Sequence, residues 1–222
     1  MKAKITEIFK SIQGEGLYVG VSQVFIRFYG CNLNCSFCDT KTFKFQQMTL
    51  KEVLENIYYY KDYHSISLTG GEPLLQIDFV KKLVKALKDE NRRIYLETNG
   101  TLAANLEKVI DYVDIIAMDF KLPTSTHCKS LFNEHKEFLK VALAKKVFAK
   151  AVICKSTQLS DLSKAISLVA NLNEDIPLVL QPNFFEADRS LNYKLVHFLS
   201  FARKYLSCVE IKDQLHKIAN WR

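Results

Sequence analysis

Val24-Phe-Ile-Arg-Phe-Tyr-Gly30 runs directly into Cys31-Asn-Leu-Asn-Cys35-Ser-Phe-Cys38. The first segment, rich in aromatic and β-branched residues and closed by glycine, reads as a strand entering a loop. The loop carries cysteines at CxxxCxxC spacing. Working outward, the same pattern of an apolar strand ending in unusual polar chemistry recurs. Residues 65–69 (SISLT) lead into Gly70-Gly71-Glu72-Pro73, and 93–98 (RIYLET) end on Glu97-Thr98-Asn99-Gly100. Residues 114–118 (DIIAM) lead into Asp119-Phe120-Lys121, 147–154 (VFAKAVIC) into Lys155-Ser156-Thr157, and 177–181 (PLVLQ) into Pro182-Asn183.

Helical periodicity fills the intervals. Thr49 and Glu52 form a capping box ahead of the apolar face Leu50, Val53, Leu54 and Ile57. Asp78 is expected to cap a helix facing inward through Phe79, Val80, Leu83, Val84 and Leu87, and Ser160 one facing inward through Leu162, Ile166 and Val169. Further helices are expected around Leu106, Val109, Ile110 and Val113, over about 129–146, and over 192–206. Strands alternating with amphipathic helices imply an α/β fold, with about six parallel strands joined by right-handed crossovers. Ligands of such sheets sit at the carboxyl ends of the strands, so the six polar ends predict one site in a full or partial (β/α) barrel. All seven glycines lie at or before Gly100, which places special backbone geometry in the first half.

The chain has 222 residues, 48% hydrophobic and 25% charged, an ordinary globular composition that excludes wholesale disorder. No apolar stretch approaches the roughly 18 residues of a membrane span, and none follows the basic start MKAKITEIFK, so a cytoplasmic protein with no membrane association is expected. The net charge of +7 is spread along the chain; without a basic arm, no nucleic-acid partner is expected. Of the six cysteines, Cys128, Cys154 and Cys208 are scattered and read as inert thiols. The clustered three can hold three corners of an iron–sulfur cube and leave the fourth iron open. The spacing leaves two alternatives standing: a zinc site completed by a distant residue such as His127 or Cys128, and plain structural thiols.

CxxxCxxC after the first of these strands, GGEP after the second and ETNG after the third resemble the radical S-adenosylmethionine (SAM) superfamily. Glu7-Ile-Phe-Lys-Ser-Ile-Gln13-Gly14-Glu15-Gly16, then Gly20, Phe25-Ile-Arg27 and Cys38-Asp39-Thr40, are similar to its 7-carboxy-7-deazaguanine synthase family, as is the ending Gln214-Leu215-His216-Lys217. The resemblance implies a partial (β/α) barrel of radical SAM type, a single domain over 1–222 with an N-terminal substrate-binding extension. It implies a lyase of the queuosine and 7-deazapurine pathway that turns 6-carboxy-5,6,7,8-tetrahydropterin into 7-carboxy-7-deazaguanine and ammonia. A [4Fe-4S] cluster, SAM and Mg²⁺ would be the cofactors, an electron donor such as flavodoxin the protein partner, and a homodimer the assembly.

By the same resemblance Cys31, Cys35 and Cys38 ligate the cluster, and Phe37, Cys38, Asp39 and Gly71 run along SAM. The stretches Asp119, Phe120 and Lys121, and Gln181, Pro182, Asn183 and Phe184, would contact its ribose, carboxylate and adenine; Asp119-Phe120-Lys121 departs from the tripeptide usual there. Ile12, Gln13, Gly14, Arg27 and Thr69 would hold the substrate, the Arg27 guanidinium being suited to its carboxylate. Thr40 would ligate Mg²⁺, an ion that prefers hard oxygen donors; without the resemblance it reads as a cap or turn residue. Two other readings compete: a glycyl-radical-enzyme activase, and a zinc-stabilised binding module. The SIQGEG segment and Arg27 argue against the activase, because a protein substrate needs no small-carboxylate clamp.

Overall fold

Side-chain alternation along each strand decides which residues can share a face. In the computed structural model, which describes residues 1–38 and 44–219, the alternation organises one sheet. Its strands are β1 (Lys2–Ile12), β2 (Ser22–Phe28), β3 (Gln46–Thr49), β4 (Ser65–Gly70), β5 (Ile94–Thr98), β6 (Ile115–Phe120), β7 (Lys146–Ile153), β8 (Leu178–Pro182) and β9 (Val209–Ile211). The order is β3-β1-β2-β4-β5-β6-β7-β8-β9. From β2 to β9 every pairing is parallel, whereas β1 runs antiparallel to both β2 and β3. The six expected strands are joined by the short parallel β9, and the edges stay apart, as in a partial barrel.

The helices are α1 (Leu50–Tyr58), α2 (Ile77–Asp89), α3 (Ala103–Glu107), α4 (Pro123–Thr126), α5 (Phe132–Ala142), α6 (Leu159–Leu172), α7 (Arg189–Ala202) and α8 (Leu215–Ile218). The Thr49–Glu52 capping box is formed. Two caps differ from expectation. Gln76 precedes α2, with Asp78 inside its first turn, and Gln158 precedes α6, so Ser160 is already helical. An acidic residue in a first turn still meets the positive end of the helix dipole, and a sequence signal for that looks much like one for a cap. The helix expected over 129–146 is only α5, and the one expected over 192–206 starts earlier, at Arg189 behind an Asp188 cap.

One face of the sheet packs against the helices through Val24, Ile26 and Phe28, Ile66 and Leu68, Leu96, Ile116 and Met118, Ala149 and Ala151, and Leu178 and Leu180. The other face holds a small apolar layer of Tyr95, Ile115, Ala117, Phe148 and Val179. Leu17 and Tyr18 cover that layer, from a turn between β1 and β2. Gly16 has φ +66, and a Cβ there would lie 2.7 Å from the Phe148 ring, so this close approach needs glycine. Above that layer, toward the carboxyl ends, the face turns polar.

Candidate active site

Parity carries Arg27 (β2), Thr69 (β4), Glu97 (β5), Asp119 (β6), Lys150 (β7) and Gln181 (β8) onto this polar face, where all six line one cavity of about 830 Å³. Parallel register sets Arg27 beside Thr69 and Asp119 beside Lys150.

The cysteine loop forms one wall, with Cys31, Cys35 and Cys38 all lining the cavity. Gly71 N–H donates to Phe28 O (3.0 Å) and Glu72 N–H to Gly30 O (2.8 Å), tying the loop's entry to the end of β4. A Cβ on Gly71 would stand 2.0 Å from Gly30 O, so this glycine is required first by backbone meeting backbone; it also lines the cavity. Glu72 is completely buried and accepts from Thr98 Oγ1 (3.0 Å), Asn99 N–H (2.8 Å) and Leu74 N–H (3.1 Å). Burial outweighs these donors and raises its carboxyl to about 7. The Asn99 amide donates to Asn32 Oδ1 (2.8 Å) and toward Cys31 Sγ (3.7 Å). On the far side Ser36 donates through N–H to Thr126 O (3.0 Å) and through its hydroxyl to Ser125 O (3.1 Å). The loop is therefore anchored at both ends, and burial pushes the Cys35 thiol up to about 12.

The Cys128 thiol, two residues beyond Thr126, contacts that of Cys35. The three loop thiols share a wall without converging on a point; among the described residues no three Cys, His, Asp or Glu side chains are gathered around one. The donor set still suits an iron–sulfur cluster with SAM beside it: three thiols on one compact wall, facing strand ends where Asp119 Oδ1 and Gln181 Oε1 are buried acceptors without a hydrogen-bond donor.

Elsewhere in the cavity lining Arg27 Nε donates to Glu7 Oε1 (2.8 Å). The Gln13 amide makes three hydrogen bonds within the protein. It donates to Glu97 Oε1 (2.6 Å) and Gln23 Oε1 (3.0 Å), and its oxygen accepts from Glu15 N–H (3.0 Å). The same amide thereby positions Glu97, which also accepts from Thr69 Oγ1 (2.8 Å), while Gln13 itself lines the cavity where the substrate contact is expected. Glu15 pairs with Lys150 and accepts from Gln214 Nε2 (2.7 Å). Leu215 N–H donates to Gly14 O (2.9 Å), and a Cβ on Gly14 would lie 2.5 Å from His216, so the C-terminal segment closes directly over the loop after β1.

Ile12, Gln13, Gly14, Phe37, Lys121, Asn183 and Phe184 line the cavity as expected, and Lys121 Nζ lies 5.6 Å from the Phe37 ring. The Phe120 side chain does not. It is next to the inward Asp119, so it turns into the helical core with the His135 ring at 5.1 Å, which leaves only its backbone for a cofactor. Pro182 likewise follows inward Gln181 and is absent from the lining. Asp39 and Thr40 lie outside the described residues. Sequence reasoning missed Lys150, although its parity with Phe148 and Val152 was a readable signal. It also missed Glu7, because β1 was not recognised as a strand.

Comparison with known sequences agrees with this geometry: residues 25–152 match the radical SAM superfamily. The chain is 37% identical to the 7-carboxy-7-deazaguanine synthase of Geobacter sulfurreducens, covering 97% of this chain and 96% of that relative. It is 36% identical to the synthase of that name from Clostridium acetobutylicum, over 98% and 96%. The crystal structure of QueE from Escherichia coli superposes with a TM-score of 0.65 at 20% identity, over 96% of this chain and 94% of that one, and shows the same fold. The strand-end cavity and its cysteine wall are thus those of a radical SAM protein, and SAM and a [4Fe-4S] cluster are its cofactors. Within that superfamily the chain belongs to the 7-carboxy-7-deazaguanine synthase family.

Proposed function

We propose that this chain converts 6-carboxy-5,6,7,8-tetrahydropterin to 7-carboxy-7-deazaguanine and ammonia, a step in queuosine and 7-deazapurine biosynthesis. Family membership supports the reaction, and one observation carries it at the site. Arg27 lines the same cavity as the three thiols, with the terminal nitrogens of its guanidinium making no hydrogen bond among the described residues. A guanidinium so placed takes a carboxylate through two parallel N–H···O bonds. Cys31, Cys35 and Cys38 would hold the cluster, with SAM against Phe37, Gly71, Asp119 and Gln181. When bound, the pair supplies a 5′-deoxyadenosyl radical able to take hydrogen from the carbon bearing the substrate carboxylate.

The chain's own residues bind and orient. Arg27 fixes the carboxylate. Glu97, held by Gln13 and Thr69, presents a carboxylate to the donor edge of the pterin. The loop after β1, roofed by Gln214 and His216, excludes water. Mg²⁺ held at Thr40, an electron donor such as flavodoxin, a homodimer in the cytoplasm, and a single domain whose N-terminal β1 extension carries substrate contacts complete the reading. Among the described residues no helix is long and apolar enough to cross a membrane. The polar inner face suits a small heteroaromatic acid better than the protein substrate of an activase.

The test is anaerobic reconstitution followed by incubation with the carboxytetrahydropterin, SAM and dithionite. Mass spectrometry is expected to find the deazaguanine with SAM largely regenerated. Free 5′-deoxyadenosine without deazaguanine would overturn the substrate, and a protein that takes up zinc but forms no brown chromophore would overturn the chemistry.

A further inference from the structure

Strand β1 contains one irregularity. Ile5 pairs with Phe28, yet the next partner of β2, Arg27, pairs with Glu7, so Thr6 is an extra residue in the ladder. A bulge of this kind shifts the side-chain alternation by one position. Before it Ala3 and Ile5 face the helical core, and after it Ile8 packs against that core while Glu7 and Phe9 turn to the cavity. In a regular strand with no bulge at Thr6, Glu7 would share the face of Ile5.

The bulge brings three groups onto Arg27. Glu7 Oε1 accepts from Nε at 2.8 Å, with the two side chains only 29% and 22% exposed. The guanidinium carbon lies 5.7 Å from the centre of the Phe9 ring, and Phe9 stacks on Phe25 at 5.2 Å and 12°. Nε is therefore held at the back of the guanidinium, the Phe9 face fixes its plane, and the two terminal nitrogens remain as a fork toward the cavity. Glu7 also offsets the positive charge, so a bound anion is selected by fit to the fork more than by bulk attraction.

We infer that Glu7 is a positioning residue that sets carboxylate specificity, holding Arg27 so that its terminal fork grips the planar carboxylate of a heteroaromatic acid. The inference rests on the reading that Arg27 meets the substrate carboxylate. Binding is measured on the cluster- and SAM-loaded enzyme with two redox-inert probes, 6-carboxypterin and pterin, which differ only in the carboxylate. Wild type is expected to prefer 6-carboxypterin at least about tenfold. Glu7→Ala is expected to reduce the preference to about twofold, with SAM affinity unchanged.

Glu7→Gln keeps an acceptor for Nε and is expected to retain the preference, whereas Glu7→Asp keeps the charge but withdraws the acceptor and is expected to lose most of it. That order is the reverse of a pure charge effect, and it decides the matter if Glu7→Ala fails to fold. Retained preference in Glu7→Ala, or equal loss in Glu7→Gln and Glu7→Asp, overturns the inference. A wild type that prefers the carboxylate but makes no deazaguanine keeps the inference and overturns the proposed reaction. A wild type with no preference overturns the inference whatever it turns over.

Discussion

Cys35 and Cys128 are neighbours in space with 92 residues between them, and only one belongs to the CxxxCxxC spacing. Cys35 sits mid-loop between two anchors, the Glu72–Gly30 bond on one side and the Ser36 bonds to Ser125 and Thr126 on the other. Cys128 follows His127, whose left-handed φ of 57 turns the chain at the end of α4. If the open iron vertex is kept for SAM, Cys128 is a bystander. Cys128→Ala is then expected to keep full iron content and SAM cleavage within about twofold, while Cys35→Ala loses both, since each ligating thiolate is part of the cluster's binding free energy. Iron analysis and chromatography of 5′-deoxyadenosine check this. Loss of iron in Cys128→Ala would make it a fourth ligand. The cysteine cluster could be read from spacing, whereas Arg27 and Thr69 entered through the family resemblance and are found lining the cavity. The internal partners of the Gln13 amide could not be read, because Gln23 and Glu97 lie on other strands and only the fold brings them to it.

Strand parity is the element-scale rule that made much of the site legible. Parallel strands with one face on helices and the other on a cavity must alternate, and Thr69, Asp119 and Gln181 follow from counting inward from the strand ends. The same count turns the Phe120 side chain away from the cavity and points Lys150 into it. Strand β1 escaped because Lys2 to Ile12 mixes exposed lysines with apolar residues, and the Thr6 bulge breaks its alternation midway. Strand β9 escaped because three residues carry no periodicity. The turn from β4 to the following helix also acts as a unit, since Gly71 is pressed against the backbone of Gly30. Gly71→Ala would push the Gly30–Cys31 peptide away from the end of β4, at a cost of about 2 kcal/mol, with the cysteine loop displaced. The expected outcome is a lowered melting temperature together with poor iron uptake on reconstitution. An unchanged melting temperature with full iron would mean that the loop tolerates the displacement.

Across the whole molecule, a chain of charges connects parts that are remote in sequence. Glu15 follows β1, Lys150 lies on β7, Asp119 on β6 and Gln214 near the C-terminus, and Lys150 pairs with Glu15 while standing 3.8 Å from Asp119, which also binds Lys121 at 2.7 Å. Burial alone would raise the Glu15 carboxyl, but the Lys150 ammonium outweighs it, helped by Gln214 and His216, and holds it far below its ordinary 4.5. Burial alone would lower Lys150, and Glu15 and then Asp119 hold it above its ordinary 10.5. A carboxylate whose folded value is depressed contributes stability that is present above its unfolded value and is lost as pH falls below about 4.5. A lysine whose folded value is raised contributes stability that is present below its unfolded value and is lost only as pH rises above about 10.5. Between those limits the pair is a fixed, ionised strut joining the loop after β1 to the barrel. Lys150→Met leaves Glu15 buried and uncompensated, which costs about 3 kcal/mol at neutral pH. The pH slope must then reverse: the orphaned carboxyl is relieved by protonation, so the variant gains stability relative to wild type as pH falls from 7 toward 5. The double variant Glu15→Gln with Lys150→Met removes both charges and is expected to recover most of the loss and to show no such slope. Urea unfolding of the three proteins at pH 7 and pH 5 makes the comparison, and a Lys150→Met penalty identical at both values would mean that packing of the lysine stem, rather than its charge, joins the two ends of the chain.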